Sequence, residues 1–263
     1  MTVKEFQAVI FDFHSTLVDN GNPKGWLIKG LRRRATHSSQ DPNVSLLTDA
    51  ELLEQFEEEI KTAHLGTDRL EKRPRKKRDN GVRHTTVDEF LTELNKIWEI
   101  AKELDPKSQR DLDPEHHRRV FDEIMEAYFD IELDLSHALY ESLTDNWIAY
   151  TDSKPMLQAL KNKGVKLGLV SNVGFDIRPV LKREGLMEFF DEILLSCEIG
   201  ECKPSKNVFL TIMDRLGVKH DECLMVGDDA HADGAAAILG IRTLILPRTH
   251  GPVHGLELVT RLV

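Results

Sequence analysis

Cysteine is scarce in this chain. Only Cys197, Cys202 and Cys223 occur in 263 residues. They have neither zinc-ligand nor disulfide spacing, so a reducing, cytoplasmic setting is expected. No apolar stretch approaches the ~20 residues that cross a bilayer, which excludes a membrane helix. Met1–Phe6 lacks the apolar centre of a secretory leader, so no export is expected. No internal repeat is evident. Positive charge is in deficit: 35 Lys and Arg stand against 45 Asp and Glu, for a net charge of −10. That balance argues against nucleic acid as the general partner. The hydrophobic share of 40% and charged share of 30% describe a globular chain, long enough for one large domain or two small ones.

One stretch runs against the acidic balance. Arg69–Arg83 holds eight Lys or Arg and two acids, with Pro74 and Asn80-Gly81 breaking any helix. It reads as a solvated loop between helices. The sharper alternative is a lure for a polyanionic partner. It has no interleaved aromatics, so nucleic acid is not favoured.

Four segments carry the chemistry. Val9, Ile10 and Phe11 form a short apolar run ending in Asp12, His14 and Thr16, a buried strand with a carboxylate at its exit. Carboxyl edges of open α/β sheets are where ligands bind. A second apolar run, Val165–Val170, ends in Ser171 and Asn172. Lys203 sits in Gly200-Glu-Cys-Lys-Pro-Ser, with Pro204 suited to a first helical turn. Finally Cys223–Val226 leads into Gly227, Asp228, Asp229 and Asp233, then an Ala-rich segment closing at Gly240. Clustered carboxylates at a strand end suit a hard cation such as Mg²⁺.

In this order, the four segments resemble the motifs of the haloacid-dehalogenase-like hydrolases. The first is normally Asp-x-Asp-x-Thr; here His14 replaces the second Asp, and Ser15 stands where glycine is common. The last segment fits the family pattern Gly-Asp-x(3–4)-Asp followed by Gly-Ala and a later Gly.

Helix and strand alternate from Ser153: helix to 163, strand 165–171, helix 176–185, strand 192–196, helix 204–216, strand 223–227, helix 231–239 and strand 241–246. That alternation predicts a doubly wound parallel α/β core. Residues 20–150 are instead helical in period. Thr48-x-x-Glu51 and Thr86-x-x-Glu89 are capping boxes. Each precedes an apolar face: Leu52, Leu53, Phe56 and Ile60 after the first, and Phe90 through Ala101 after the second. Asp113-Pro114 opens a third helix, and Leu139–Tyr150 reads as a fourth. The expected organisation is a Rossmann-like core of residues 1–19 and 151–263, with residues 20–150 inserted as an all-helical cap domain. Such an insert resembles the family's C1-type cap, which selects the substrate. Trp26, Trp98 and Trp147 read as cap core, His116-His117 as surface, and His250 and His254 as part of a mobile tail.

The resemblance implies a Mg²⁺-dependent phosphatase acting on a small phosphorylated metabolite. Asp12 would be the nucleophile, forming an aspartyl phosphate. His14 would be the general acid and then the base, a task imidazole can do near neutral pH. Lys203, Ser171 and Asn172, with Thr16, would contact the phosphoryl group or its attacker. The metal would be held by Asp12, the main-chain carbonyl of His14 and Asp228, with Asp229 and Asp233 as further carboxylates. The alternatives are dehalogenase-like or phosphonatase-like chemistry, or a catalytically degenerate fold that only binds. Retained metal carboxylates argue against halide chemistry, and a retained nucleophile and lysine against a pure binder.

Overall fold

A computed structural model describes residues 6–38, 47–65, 84–129, 131–249 and 251–263. The basic stretch 69–83 and His250 lie outside the described residues. Among the described residues seven strands form: β1 Ala8–Phe11, β2 Val18–Asp19, β3 Ile148–Ala149, β4 Lys166–Ser171, β5 Glu192–Leu195, β6 Cys223–Gly227 and β7 Arg242–Ile245. Five of them make one sheet in the order β5-β4-β1-β6-β7, and every neighbouring pair is parallel. The fold is a Rossmann-like α/β sheet flanked by helices, as expected. Each strand of this sheet lies within a residue of its apolar run in the sequence, whereas β2 and β3 were not expected, β3 falling within the expected helix Leu139–Tyr150.

The reason is burial. β1 and β6 are fully buried along their length, so their sequences are continuous apolar runs rather than alternating ones. Ile10, Val170, Leu194 and Met225 of the sheet pack with Phe209, Ile212 and Met213 of helix Lys206–Leu216 in one core. That helix begins two residues later than expected, capped by the Ser205 side chain accepting from Asn207 N–H; Pro204 therefore precedes the helix instead of opening it. The Ala-rich segment is a 3₁₀ helix, Gly234–Leu239, closed by Gly240 at φ 83°.

The chain divides into two compact units. One comprises Met1–Asn20, Ser108–His117 and Trp147–Val263 and holds the sheet; the other comprises Gly21–Lys107 and Arg118–Asn146 and is helical. Within the sheet unit, β2 and β3 pair antiparallel, Val18 with Ala149 and Asp19 with Ile148, where the chain leaves and re-enters. Ser108–His117, within the expected helical insert, clusters with the sheet. So does Trp147, expected in the helical core.

In the helical unit, Thr48 caps helix Asp49–Leu65 reciprocally: its main-chain N–H donates to Glu51 Oε2 (2.7 Å) and its hydroxyl accepts from Glu51 N–H (3.3 Å). The stretch after Thr86 is two helices, Val87–Leu94 and Ile97–Leu104, not one. Phe90, Leu94, Ile97 and Ala101 are buried across the break, so the apolar period continues although the helix does not. The fourth helix is Leu133–Glu141, followed by a 3₁₀ turn, Leu143–Asn146; it starts earlier and ends sooner than expected. No helix is expected over Pro23–Ser38, yet one forms. Asn22 Oδ1 accepts from Gly25 N–H (2.7 Å) and Pro23 takes the first helical position, a cap-and-proline start. Trp26 donates its indole N–H to the Leu139 carbonyl (2.8 Å), and Phe56, Phe90 and Phe129 meet edge to face.

The tail is anchored. The Asp152 carboxylate accepts from the N–H groups of His254, Gly255 and Leu256, and His254 stacks on Tyr150 at 4.7 Å. Among the described residues, no helix is long and apolar enough to cross a membrane.

Candidate active site

Three adjacent strands, β4, β1 and β6, deliver polar residues to one sheet edge. Their register sets Phe11 opposite Leu169 and Val226. Ser171, Asp12 and Asp228 therefore emerge together, at the place where the strand order reverses around β1. Asp12 N–H still donates to the Val226 carbonyl (2.9 Å), which ties the residue to the strand it ends.

Lys203 enters from the connection after β5 and is 4% exposed. Its ammonium donates to Asp12 Oδ1 (2.6 Å), Asp233 Oδ1 (2.6 Å) and the Val170 carbonyl (3.1 Å), which uses all three protons. Burial alone would lower its pKa, but the two carboxylates outweigh this and raise it. Asn172 clamps the lysine's backbone: its Nδ2 donates to the Lys203 carbonyl (2.9 Å), and its Oδ1 accepts from Lys203 N–H (2.8 Å). The Asn172 amide is thus engaged with Lys203, where sequence suggested a substrate contact. Thr16, fully buried, directs its hydroxyl at Asp12 Oδ2 at 3.4 Å. Ser171 is 1% exposed, and its hydroxyl has no hydrogen-bond partner among the described residues.

Carboxylate oxygens of Asp12, Asp228 and Asp233 lie within 4.8 Å of one another. This all-oxygen set suits a hard divalent cation. Burial pushes the Asp12 carboxyl up, to about 7, with Asp233 and Asp228 pushing the same way and Lys203 opposing them; a cation at this cluster would relieve that repulsion. Asp229 does not join the three: its Oδ1 accepts from His231 and Ala232 N–H (2.8 and 2.9 Å), which builds the turn. Asp233 Oδ2 accepts from Asp229 N–H (3.0 Å). It approaches Gly227 so closely that a Cβ there would meet Asp233 Oδ2 at 2.1 Å, so only glycine fits.

His14 is held between aromatic rings, edge to face with Trp147 (4.4 Å) and Phe13 (4.8 Å). Its Nε2 is buried without a hydrogen-bond partner among the described residues. Burial, then the cations Lys203 and Arg248 and finally His117, hold its pKa down at about 3, so the imidazole is neutral near pH 7. Ser15 follows with φ 57°, in the region that favours glycine.

The model of the haloacid dehalogenase-like hydrolases matches residues 6–239. The chain belongs to that hydrolase family. It is 32% identical over 115 residues to the ribulose-1,5-bisphosphate 5-phosphatase of Halopiger xanaduensis, covering 43% of this chain and 48% of that one. It is 40% identical over 86 residues to the glyceraldehyde 3-phosphate phosphatase of Methanopyrus kandleri, covering 32% and 36%. The chain spans about half or less of the length of these curated relatives. A solved 2-haloacid dehalogenase from Pseudomonas syringae pv. Tomato shares the fold, with TM-score 0.53 and 19% identity over 98% of this chain and 100% of that one.

Against this hydrolase frame, the structure brings together Asp12, Thr16, Ser171, Asn172, Lys203, Asp228 and Asp233, with His14 alongside. Three residues near them carry no signal in the sequence. Trp147 lies against His14. His117, expected on the surface, is 5% exposed and packs edge to face on Phe175 (5.0 Å), which stacks on Trp147 (5.9 Å). Arg248 pairs with Asp228. No motif spacing connects these positions to Asp12.

Proposed function

We propose that the chain is a Mg²⁺-dependent phosphatase of small phosphorylated metabolites, acting in the cytoplasm through an aspartyl phosphate at Asp12. The observation that carries this reading is the convergence of three carboxylates beside a buried lysine at one sheet edge. A halide leaving group needs no such cation-holding set. The two curated relatives are both named as phosphatases, which supports phosphate as the group handled.

In this reading Asp12, Asp228 and Asp233, with the His14 main-chain carbonyl, would hold the cation, which neutralises charge on the phosphoryl oxygens. Asp12 attacks phosphorus as the bond to the leaving oxygen breaks and that oxygen takes up a proton; a water, giving up a proton, then attacks the aspartyl phosphate, which releases phosphate and restores the Asp12 carboxylate. Lys203 orients Asp12 and supplies a fixed positive charge where negative charge gathers, the main source of gain in phosphoryl transfer. Asn172 holds Lys203 in place. The unpartnered Ser171 hydroxyl donates to a phosphoryl oxygen. His14, with an open Nε2, is the group placed to give a proton to the leaving oxygen and then take one from the attacking water. The core of residues 1–19 and 151–263 carries the chemistry, and the helical insert within residues 20–150 acts as a substrate-selecting cap.

The test is phosphate release from a panel of phosphorylated metabolites, with and without Mg²⁺. Asp12→Asn should lower turnover about 10⁴-fold or more, the scale of nucleophile removal in hydrolases, and excess chelator should silence the wild type. Undiminished activity in chelator, or in Asp12→Asn, would overturn the reading. Halide release from a 2-haloacid in place of phosphate release would replace it with dehalogenation.

A further inference from the structure

Arg248 follows β7 in sequence. Leu246 N–H donates to the Gly227 carbonyl (2.9 Å), so the chain stays in register with β6 one residue beyond the strand. Pro247 then leads to Arg248, whose Nε donates to Asp228 Oδ2 (2.5 Å). The pair is lopsided. The Asp228 side chain is 6% exposed and that of Arg248 is 63% exposed. An exposed arginine gains little from an ordinary surface pair, yet this one reaches down to a nearly buried carboxylate. Its charge is felt by Asp12, Asp229 and His14 as well. Only Nε is engaged. The two terminal nitrogens have no hydrogen-bond partner among the described residues, which leaves a guanidinium edge open to solvent at the mouth of the site.

The charges explain what that edge is for. Lys203 pairs with Asp12 and Asp233, and Arg248 pairs with Asp228. A divalent cation that takes Asp228 removes the partner of Arg248. The guanidinium then stands at the mouth with no anion, and its planar fork matches a carboxylate or a phosphate through two parallel hydrogen bonds.

We propose that Arg248 is a specificity-determining residue: its guanidinium receives a second anionic group on the substrate, a carboxylate or a phosphate outside the reacting phosphoryl group, and exchanges Asp228 for that group when the cation binds. This rests on the phosphatase reading and adds the substrate class, phosphate esters that carry a further anion.

The experiment compares three esters on the Mg²⁺-loaded protein: glycerol 3-phosphate, with a neutral remainder; 3-phosphoglycerate, with a carboxylate; and propane-1,3-diol bisphosphate, with a second phosphate. Wild type should favour one or both doubly anionic esters in kcat/KM. Arg248→Ala should lower that preference at least about tenfold, the scale of one charge-assisted hydrogen bond, mainly through KM, and Arg248→Lys should restore part of it. Whichever doubly anionic ester loses more identifies carboxylate or phosphate as the group held. In a second arm, calorimetric titration with Mg²⁺ alone should show Arg248→Ala binding the ion several-fold more tightly, because the competing cation is gone. Equal losses on all three esters, or Mg²⁺ affinity unchanged or weakened by Arg248→Ala, would overturn the proposal. If wild type hydrolyses none of the esters, the phosphatase reading falls, and calorimetric binding of the same esters decides this one: a preference for the doubly anionic esters that vanishes in Arg248→Ala sustains it, and no preference overturns it.

Discussion

The candidate site at the sheet edge and the helical unit place their charges in opposite ways. In the helical unit the ion pairs are partly or largely in solvent: Arg32 with Asp49, Lys61 with Glu58 and Arg118 with Asp122 have side chains 28–65% exposed. At the sheet edge Lys203 joins Asp12 and Asp233 with side chains 2%, 10% and 1% exposed. Solvated pairs contribute between nothing and about 1 kcal/mol. Buried charges are unfavourable unless each finds partners, and breaking one pair leaves another charge stranded. A fold that keeps three ionisable groups dry, with every lysine proton assigned, holds a pre-organised electrostatic site. The helical unit uses the same residue types to stay solvated.

The comparison breaks if the two kinds of pair cost the same to remove. Lys203→Ala should destabilise the protein by about 3–5 kcal/mol, since it strands two buried carboxylates, whereas Lys61→Ala, in a pair open to solvent, should leave stability almost unchanged. Urea midpoints of the two variants measure the difference, and equal shifts would remove the distinction.

A smaller effect separates the units by pH. Burial, and then Arg110, hold His117 down at about 4. The unfolded imidazole takes its proton near pH 6.5, so between about 6.5 and 4 the unfolded chain binds more protons. Stability is therefore fully present above pH 6.5 and is lost as pH falls toward 4, by about 3 kcal/mol for this one group. His117→Gln should flatten that part of the stability-against-pH curve; an unchanged slope would mean that His117 does not cause it.

Smaller again is the helix start in the other unit. Thr48→Ala removes one side of a reciprocal cap and should cost about 1 kcal/mol, read by urea unfolding, with turnover unaffected. At the sheet edge, Ser15 holds φ 57°. Ser15→Gly should relieve that backbone and stabilise by up to about 1 kcal/mol; a destabilised variant would show that the serine side chain earns its place in the packing.

The units also differ in how legible they are. The five strands of the parallel sheet could be read to within a residue because parallel strands covered on both faces are continuous apolar runs closed by turn residues. Helix boundaries were harder. Phe90 to Ala101 keeps one apolar period, and nothing local distinguishes one helix from two short ones joined at Asn95–Lys96. Asn22-Pro23 held a start signal, but Arg32-Arg33-Arg34 obscures the amphipathic period that would have drawn attention to it. The tail looked mobile because its glycine and proline are visible in sequence, while the Asp152 carboxylate that binds its N–H groups lies about a hundred residues earlier.

From the sequence alone came the family, the parallel α/β core and the candidate nucleophile, lysine and acidic residues, because each depends on a local pattern: an apolar run, then a polar residue at its exit. Tertiary structure alone decided which of those polar groups meet. Asp229 turned to its own loop, Asn172 to the backbone of Lys203, and Arg248 to Asp228 across twenty positions of chain. His14 is neutral because rings and cations from distant segments surround it. Hydrogen bonding, burial and Coulomb forces act through distances in space, and sequence spacing encodes those distances only within a single strand, helix or turn.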